Sequence, residues 1–195
     1  MWKDYLANYT SEFQHPAWGT SHFIRVYELS KELAREHEFV DLDCILAAAY
    51  LHDIGAFHPY KVCGVDHAER SVDLAENILL SADFPVEKIS IVQDIIKGHM
   101  FYAIPSDRIE AIIFHDADTL EFMGSIGIAR ILSIIGIDDW TPDMKSAIRL
   151  IEQYSLELPE KLHTQMAKEI GEQRRLEMIS FLHALSLQTN NLTII

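Results

Sequence analysis

The chain lacks several features that would each indicate a class of protein. It has only two cysteines among 195 residues, Cys44 and Cys63, which is too few for a disulfide-stabilised scaffold. It has no opening basic segment followed by an apolar one, and no run reaches the roughly 18 apolar residues of a membrane span. Internal repeats, linkers and alternating strand patterns are also missing. We therefore expect a cytoplasmic protein.

Positive charge is scarce in this sequence. Lys and Arg number 16 against 30 Asp and Glu, which gives a formal net charge of −14, and no basic cluster is longer than Arg174-Arg175. Nonspecific binding of nucleic acid requires a basic surface that neutralises phosphates. We therefore do not expect a nucleic-acid polymer as partner. A small phosphorylated substrate remains compatible with the sequence if metal ions and a few local cations offset the repulsion.

Apolar residues recur at helical spacing along most of the chain. We predict an all-α, single-domain helical bundle over residues 1–195. The predicted helices cover 20–37, 41–53, 67–80, a segment opened by Pro85, 109–122, a segment from Thr141 to about Leu156, and 160–187. The tail from Gln188 ends in Leu192-Thr193-Ile194-Ile195, for which fraying and docking on a partner subunit, as in a homodimer, are both open.

Histidine and aspartate residues stand where apolar helix faces end. His22, His99 and Asp118 each extend an apolar stripe, and the His52-Asp53 doublet follows the most apolar segment. Taken singly, a histidine of this kind is more often a hydrogen-bonded core or surface residue than a ligand, and an aspartate can accept a hydrogen bond at a helix end or pair with an arginine. Buried charge is costly unless it is paired or bound to metal, so the convergence of several such groups favours a metal site.

We predict that two sets of ligands meet in one pocket. His22, His52, Asp53 and Asp118 would hold one divalent cation and leave positions open for water. His67 and His99 are candidates for a second cation, with Asp53 as the bridging carboxylate. Two cations about 3.5–4 Å apart can clamp a phosphoryl group.

Beyond the His-Asp doublet, further segments occur in an order typical of a known family. They are His22-Phe23-Ile24-Arg25-Val26, Asp66-His67-Ala68-Glu69-Arg70-Ser71, Asp116-Ala117-Asp118-Thr119-Leu120-Glu121 and Gly124-Ser125-Ile126-Gly127-Ile128-Ala129-Arg130. Over residues 20 to about 135 the chain resembles the HD-domain superfamily of metal-dependent phosphohydrolases, in particular small stand-alone bacterial members, some of which cleave nucleotides. The resemblance leaves 141–187 as C-terminal helices outside the motif-bearing part.

The resemblance implies a chemistry and a set of roles. One or two ions of Mn, Mg, Co, Ni or Fe would activate a water that attacks a phosphoester or phosphoanhydride of a small substrate, with a nucleotide as the first expectation. The setting Ala117-Asp118-Thr119-Leu120 implies that Asp118 is the ligand, while Asp116 orients ligands or accepts protons. The resemblance also implies that His67 and His99 either hold a second metal or contact substrate or water. With Asp53, the further catalytic candidates are Arg25 and Lys97, for which pairing with a carboxylate and a solvated surface position are the respective alternatives.

Two other functions remain open at this stage. Some proteins of the HD fold are diiron oxygenases, and the presence of both His67 and His99 is compatible with that activity. A module that binds a nucleotide or a protein without catalysis is the other alternative. Phe101 and Tyr102, which follow His99, either stack on a base or belong to the core or a lid.

Overall fold

The computed structural model describes residues 1–193, and over that range the chain is helical without any strand. The all-α class is therefore confirmed. The α-helices of the described range are α1 (Trp2–Thr10), α2 (Thr20–Leu33), α3 (Leu42–Leu51), α4 (His67–Ser81), α5 (Val86–Lys97), α6 (Ile109–Leu120), α7 (Gly124–Ser133), α8 (Met144–Glu157) and α9 (Gln165–Gln188). The end of the predicted tail, Ile194 and Ile195, lies outside the described residues.

Backbone contacts divide the chain into two compact units, residues 1–118 and the residues from Thr119 onward. The division falls within α6. The six candidate metal ligands all belong to the first unit. The single-domain organisation of residues 1–195 stays a prediction.

Helix α3 occupies the centre of the first unit, where it packs against α1, α2 and α5. Its start is fixed by Asp41, whose carboxylate accepts hydrogen bonds from the backbone N–H groups of Asp43 and Cys44. This N-cap satisfies donors that the first turn leaves without partners. Apolar side chains cover the helix on nearly all sides and are fully buried at Cys44, Ile45, Ala47, Ala48 and Leu51.

Helix α3 ends two residues earlier than predicted, at Leu51 rather than Asp53. His52 keeps a helical backbone conformation, and Asp53 adopts φ −102° and ψ 0° before a short 3-10 turn over Ile54–Ala56. Because Asp53 departs from helical geometry, its side chain need not diverge from that of His52 by the roughly 100° that separates consecutive helical residues, and Asp53 Oδ2 lies 3.3 Å from His52 Nε2. The helix therefore delivers the doublet to the site from its C-terminal end.

The second unit contains α7, α8 and α9, which all pack against one another. Helix α7 was not predicted because Gly124 and Gly127 interrupt its sequence. Gly124 has φ +68°, which favours glycine, and at Gly127 an added Cβ would lie 2.3 Å from the Phe122 backbone. The predicted start of the last helix at residue 160 is wrong. A 3-10 turn covers Leu158–Lys161, and Thr164 caps α9 by accepting a hydrogen bond from Ala167 N–H.

Helix α1 also escaped prediction, because Leu6 and Thr10 are its only buried residues and the apolar pattern is correspondingly weak. No helix within residues 1–193 is both long and apolar enough to cross a lipid bilayer.

Candidate metal centre

Five separate segments of the first unit bring six imidazole and carboxylate groups together. His22 lies in the first turn of α2, the doublet follows α3, and His67 is the first residue of α4. His99 follows the end of α5 by two residues, and Asp118 lies near the end of α6. All of these side chains except that of His67 are nearly or fully buried, namely those of His22, His52, Asp53, His99 and Asp118. The six predicted ligands thus converge in this structure.

The first group surrounds one oxygen of Asp53. The Nε2 atoms of His22 and His52 are 3.2 Å apart, and they lie 3.6 and 3.3 Å from Asp53 Oδ2. Asp118 Oδ1 is 3.1 Å from His22 Nε2 and 3.9 Å from His52 Nε2. Two imidazoles and two carboxylates therefore face a common point.

The second group surrounds the other oxygen of the same carboxylate. The Nε2 atoms of His67 and His99 are 3.3 Å apart and lie 3.3 and 3.6 Å from Asp53 Oδ1. The side chain of His67 is 24% exposed, which makes this group the one that reaches solvent. Asp53 thus gives one oxygen to each pair of imidazoles.

Backbone carbonyls fix which nitrogen of two imidazoles carries the hydrogen. His52 Nδ1 lies 2.9 Å from the Ala49 carbonyl oxygen, and His99 Nδ1 lies 2.7 Å from that of Ile96. Because a carbonyl oxygen only accepts, each Nδ1 must donate its N–H. In the neutral rings the Nε2 lone pairs then point at neighbouring nitrogens and carboxylates, an arrangement that requires a proton or a cation between them.

Electrostatics within the cluster favour the charged forms of its members. Burial raises the pKa of Asp53 and Asp118, but the neighbouring imidazoles outweigh it, so the pKa of Asp53 is well below its usual value and that of Asp118 falls to about 2. Burial lowers the pKa of His52 and His67, yet the Asp53 carboxylate raises both above the ordinary histidine value. The site therefore attracts positive charge.

The residues present fit a divalent cation. Asp118 is 1% exposed, and neither of its carboxylate oxygens accepts a hydrogen bond from any described residue. A buried carboxylate without hydrogen bonds is costly unless a cation is close. Ligand atoms that are about 2.0–2.2 Å from one ion lie roughly 3 to 3.6 Å from each other, which is close to the spacing found here. Suitable ligand sets are His22, His52 and Asp118, and His52, Asp53 and His99.

Close backbone packing brings the doublet to α4. A Cβ atom added at Gly55 would lie 2.4 Å from the carbonyl oxygen of His67, so only glycine permits this approach. Gly55 N–H also donates a 2.9 Å hydrogen bond to Ser71 Oγ. The turn after the doublet is thereby held against the first turns of α4, and His67 reaches Asp53. From the sequence alone, a glycine two residues after a helical segment indicates only a helix end.

The three further catalytic candidates occupy different positions. Arg25 is half-buried on α2, three residues after His22, whereas Lys97 is exposed at the end of α5. Asp116 is fully buried on α6, but two residues of helix rotate it by about 200° relative to Asp118. Neither ligand set among the described residues includes Asp116. The structure brings Asp118 to the histidines, and the roles of the other three stay predictions.

A tyrosine contact next to His67 escaped the sequence analysis. Tyr102 donates a 2.8 Å hydrogen bond from its hydroxyl to Asp66 Oδ2, across 36 residues of sequence. Asp66 is the N-cap of α4, where its carboxylate accepts from Ala68 N–H. The cap was recognisable from the sequence, since an aspartate before an apolar-periodic segment is a typical helix start. Its tertiary partner was not.

Comparison with known proteins places the chain in a family. The HD domain family matches residues 19–123, which is more than half of the chain. No curated protein shows a significant sequence match. A solved structure of a predicted HD superfamily hydrolase from an uncultured Thermotogales bacterium is 26% identical, covers 96% of this chain and 90% of its own, and has a TM-score of 0.66.

Two further solved structures share the fold. Bacillus subtilis YpgQ in complex with ADP is 23% identical with a TM-score of 0.72, and the alignment covers 95% of this chain and 97% of that protein. The Lin1889 protein of Listeria innocua is 25% identical with a TM-score of 0.69, and the alignment covers 95% of this chain and 93% of that protein. The chain therefore belongs to the HD domain family, and its cluster has ligand sets that can hold a metal ion.

Proposed function

We propose that the protein is a metal-dependent phosphohydrolase that acts on a phosphoester or phosphoanhydride of a small substrate. The observation that carries this proposal is the Asp53 carboxylate, buried between two pairs of imidazole Nε2 atoms with Asp118 beside one pair. A divalent cation bound there supplies Lewis acidity toward phosphoryl oxygens and lowers the pKa of a coordinated water.

The chain's own residues hold and orient this chemistry. The carbonyl oxygens of Ala49 and Ile96 keep the Nε2 atoms of His52 and His99 directed into the site. His115 Nδ1 lies 2.8 Å from the Gly98 carbonyl oxygen, which braces the segment that carries His99. The burial of this lining excludes bulk water on all sides but that of His67, so we propose that substrate enters there.

Charge and aromatic surface near the site are compatible with a nucleotide. Because the chain carries a net charge of −14, bound cations and local basic groups must provide the attraction for phosphate. We propose that Arg25 contacts the phosphoryl group, that Lys97 contributes from the end of α5, and that Asp116 supports α6 near the ligand Asp118. The exposed ring of Tyr102 offers a stacking surface for a base.

A panel of phosphatase, phosphodiesterase and nucleotide-pyrophosphohydrolase substrates with Mn, Mg, Co, Ni and Fe tests this function. Because the YpgQ structure contains ADP, the first substrates to try are ADP and ATP. We expect phosphate or pyrophosphate release by the parent and none by Asp53→Ala, with helicity retained. Asp43→Ala is a matched control, because Asp43 is a half-exposed aspartate of α3 that pairs with Lys3 of α1, away from the ligand groups.

Unchanged turnover in Asp53→Ala would contradict the proposal. Two other outcomes would replace it. Consumption of oxygen by a protein that carries two irons would establish the diiron oxygenase, for which both imidazole pairs provide ligands. Nucleotide binding without any release of phosphate or pyrophosphate, with every metal in the panel, would establish a binding module.

A further inference from the structure

The ligand His67 differs from His52 and His99 in how its ring is held. His52 and His99 each direct Nδ1 to a backbone carbonyl oxygen, at 2.9 and 2.7 Å. His67 Nδ1 instead lies 4.0 Å from Asp66 Oδ1, which is an electrostatic contact and too long for a hydrogen bond. A carboxylate on a neighbouring residue orients an imidazole only if the carboxylate is itself fixed.

Two contacts fix the Asp66 carboxylate. Oδ1 accepts a 2.7 Å hydrogen bond from Ala68 N–H in the first turn of α4. Oδ2 accepts a 2.8 Å hydrogen bond from the Tyr102 hydroxyl. Without the second contact, the carboxylate would keep only its bond to the helix end and would be able to rotate toward solvent, since Asp66 lies in an exposed stretch of chain, residues 61–66.

Tyr102 comes from the segment that carries the other ligand of the second group. It lies three residues after His99, in the turn between α5 and α6. This turn is tightly closed, because a Cβ atom added at Gly98 would lie 2.8 Å from Pro105 Cα. The Tyr102 to Asp66 hydrogen bond therefore joins the segment of His99 to the N-cap of α4, the residue before His67, whose Nε2 lies 3.3 Å from that of His99.

We propose that Tyr102 is a positioning residue that orients His67 through Asp66 and thereby sets the affinity of a second divalent cation held by His67, His99 and Asp53 Oδ1. The inference rests on the proposed function in requiring divalent cations at this cluster. It assigns no such dependence to the first group, because its ligands His22, His52 and Asp118 come from α2, the end of α3 and α6, which the Tyr102 to Asp66 hydrogen bond does not join.

Titration of the metal-free full chain with Mn²⁺, followed by calorimetry and by electron paramagnetic resonance, tests the inference. For the parent we expect two binding events and the spectrum of a spin-coupled Mn²⁺ pair. Tyr102→Phe should weaken the second event about tenfold, as loss of an outer partner of a metal ligand commonly does, and should leave the first event unchanged. The spectrum at intermediate Mn²⁺ concentration should then be that of isolated ions.

Two more variants separate positioning from a general loss of structure. Asp66→Asn keeps one oxygen for the Ala68 N–H but has no carboxylate for His67, so it should weaken the second event at least as much as Tyr102→Phe. Tyr9→Phe is the matched control, because Tyr9 also donates one hydroxyl hydrogen bond, to Tyr60 at 2.6 Å, away from the ligand groups. It should bind both ions as the parent does.

The inference is overturned if Tyr102→Phe binds both ions with parental affinity, or if it weakens both events equally while lowering the melting temperature of the metal-free protein. A parent that binds a single Mn²⁺ also overturns it. None of these results depends on turnover. Absence of phosphate release would therefore contradict the proposed function and leave the binding results interpretable.

Discussion

The two halves of the metal cluster share one carboxylate but differ in their surroundings. The group at Asp53 Oδ2 has two buried imidazoles and a second carboxylate, Asp118. The group at Asp53 Oδ1 has two imidazoles, of which His67 is the partly exposed one. More negative charge and fuller burial favour tighter cation binding. On this comparison, a cation would bind more tightly at the first group, and the affinity of the second group would depend more on its neighbours.

The largest effect is expected for Asp118→Asn, which removes the charge that distinguishes the first group. We expect loss of the tighter Mn²⁺ binding event and a fall in the rate of hydrolysis of at least about 100-fold. Changing an outer partner of a metal ligand costs up to about 100-fold in activity, and Asp118 is itself a predicted ligand. The metal-free variant should melt at a lower temperature than the parent, because the ionised Asp118 carboxylate lies 3.1 Å from His22 Nε2 and its pKa is lowered to about 2, so its charge stabilises the fold at neutral pH. Calorimetry and a thermal scan measure both quantities. Loss of only the weaker Mn²⁺ binding event would show that Asp118 belongs to the weaker site, which would contradict the assignment of the tighter site to the first group.

His67→Gln is the complementary change in the second group. We expect the weaker Mn²⁺ event to lose about 10- to 100-fold in affinity, while the tighter event keeps its affinity. His58→Gln serves as control, because His58 is an exposed histidine in the preceding loop. Equal weakening of both events by His67→Gln would show that the two groups do not bind separately.

Gly55→Ala tests the packing that brings the second group to the first. The added methyl group would overlap the His67 carbonyl oxygen, so α4 must shift away from the doublet. We expect a destabilisation of about 1–3 kcal/mol and roughly tenfold weaker binding of the second ion. Gly64→Ala is the control, since Gly64 has φ +79° with nothing within 4 Å, and it should cost stability without changing either binding event. Denaturant titration and calorimetry distinguish the two variants.

The smallest effect is the dependence of metal affinity on pH. The pKa values of Asp53 and Asp118 are lowered, so both stay ionised through the neutral range. Burial lowers the pKa of His52 and His67, but the Asp53 carboxylate raises it by more. Both pKa values therefore lie above the usual histidine value of about 6.5. A cation must displace the protons on these rings. We expect affinity to fall several-fold as the pH drops from about 7.5 to about 6.5.

The same pKa shifts have the opposite effect on the stability of the metal-free protein, which should fall as the pH rises. A histidine whose pKa is raised by folding stabilises the fold at low pH, and this stabilisation is lost as the pH rises through the raised pKa. The metal-free protein should therefore melt at a lower temperature at pH 8 than at pH 6, and saturating Mn²⁺ should remove that difference. A metal-free melting temperature that rises over this range would contradict the assignment of charge in the cluster.

Sequence reasoning found the ligands because they interrupt apolar helix faces. His22, His99 and Asp118 each stand where a side chain must point inward, and only a partner or a cation makes that burial favourable. The helix over His67–Ser81 was also predictable, since it begins with an aspartate N-cap and continues with an apolar face. Local signals of this kind depend only on residues a few positions apart.

Features that depend on tertiary contact were not predictable in the same way. The hydrogen bond from Tyr102 to Asp66 and the approach of Gly55 to His67 join segments with no common periodicity. Likewise, α3 ends at Leu51 and the doublet turns toward the other ligands, whereas the sequence alone favoured a helix as far as Asp53. Helix α7 was missed because its glycines serve close packing instead of ending the helix.

Anomalous diffraction from a crystal of the full chain grown with Mn²⁺ would locate the bound ions. We expect one peak bonded to His22, His52, Asp118 and Asp53 Oδ2, and a second, of lower occupancy at limiting Mn²⁺, bonded to His67, His99 and Asp53 Oδ1. Absence of a peak beside Asp53 at saturating Mn²⁺ would contradict the proposed metal site.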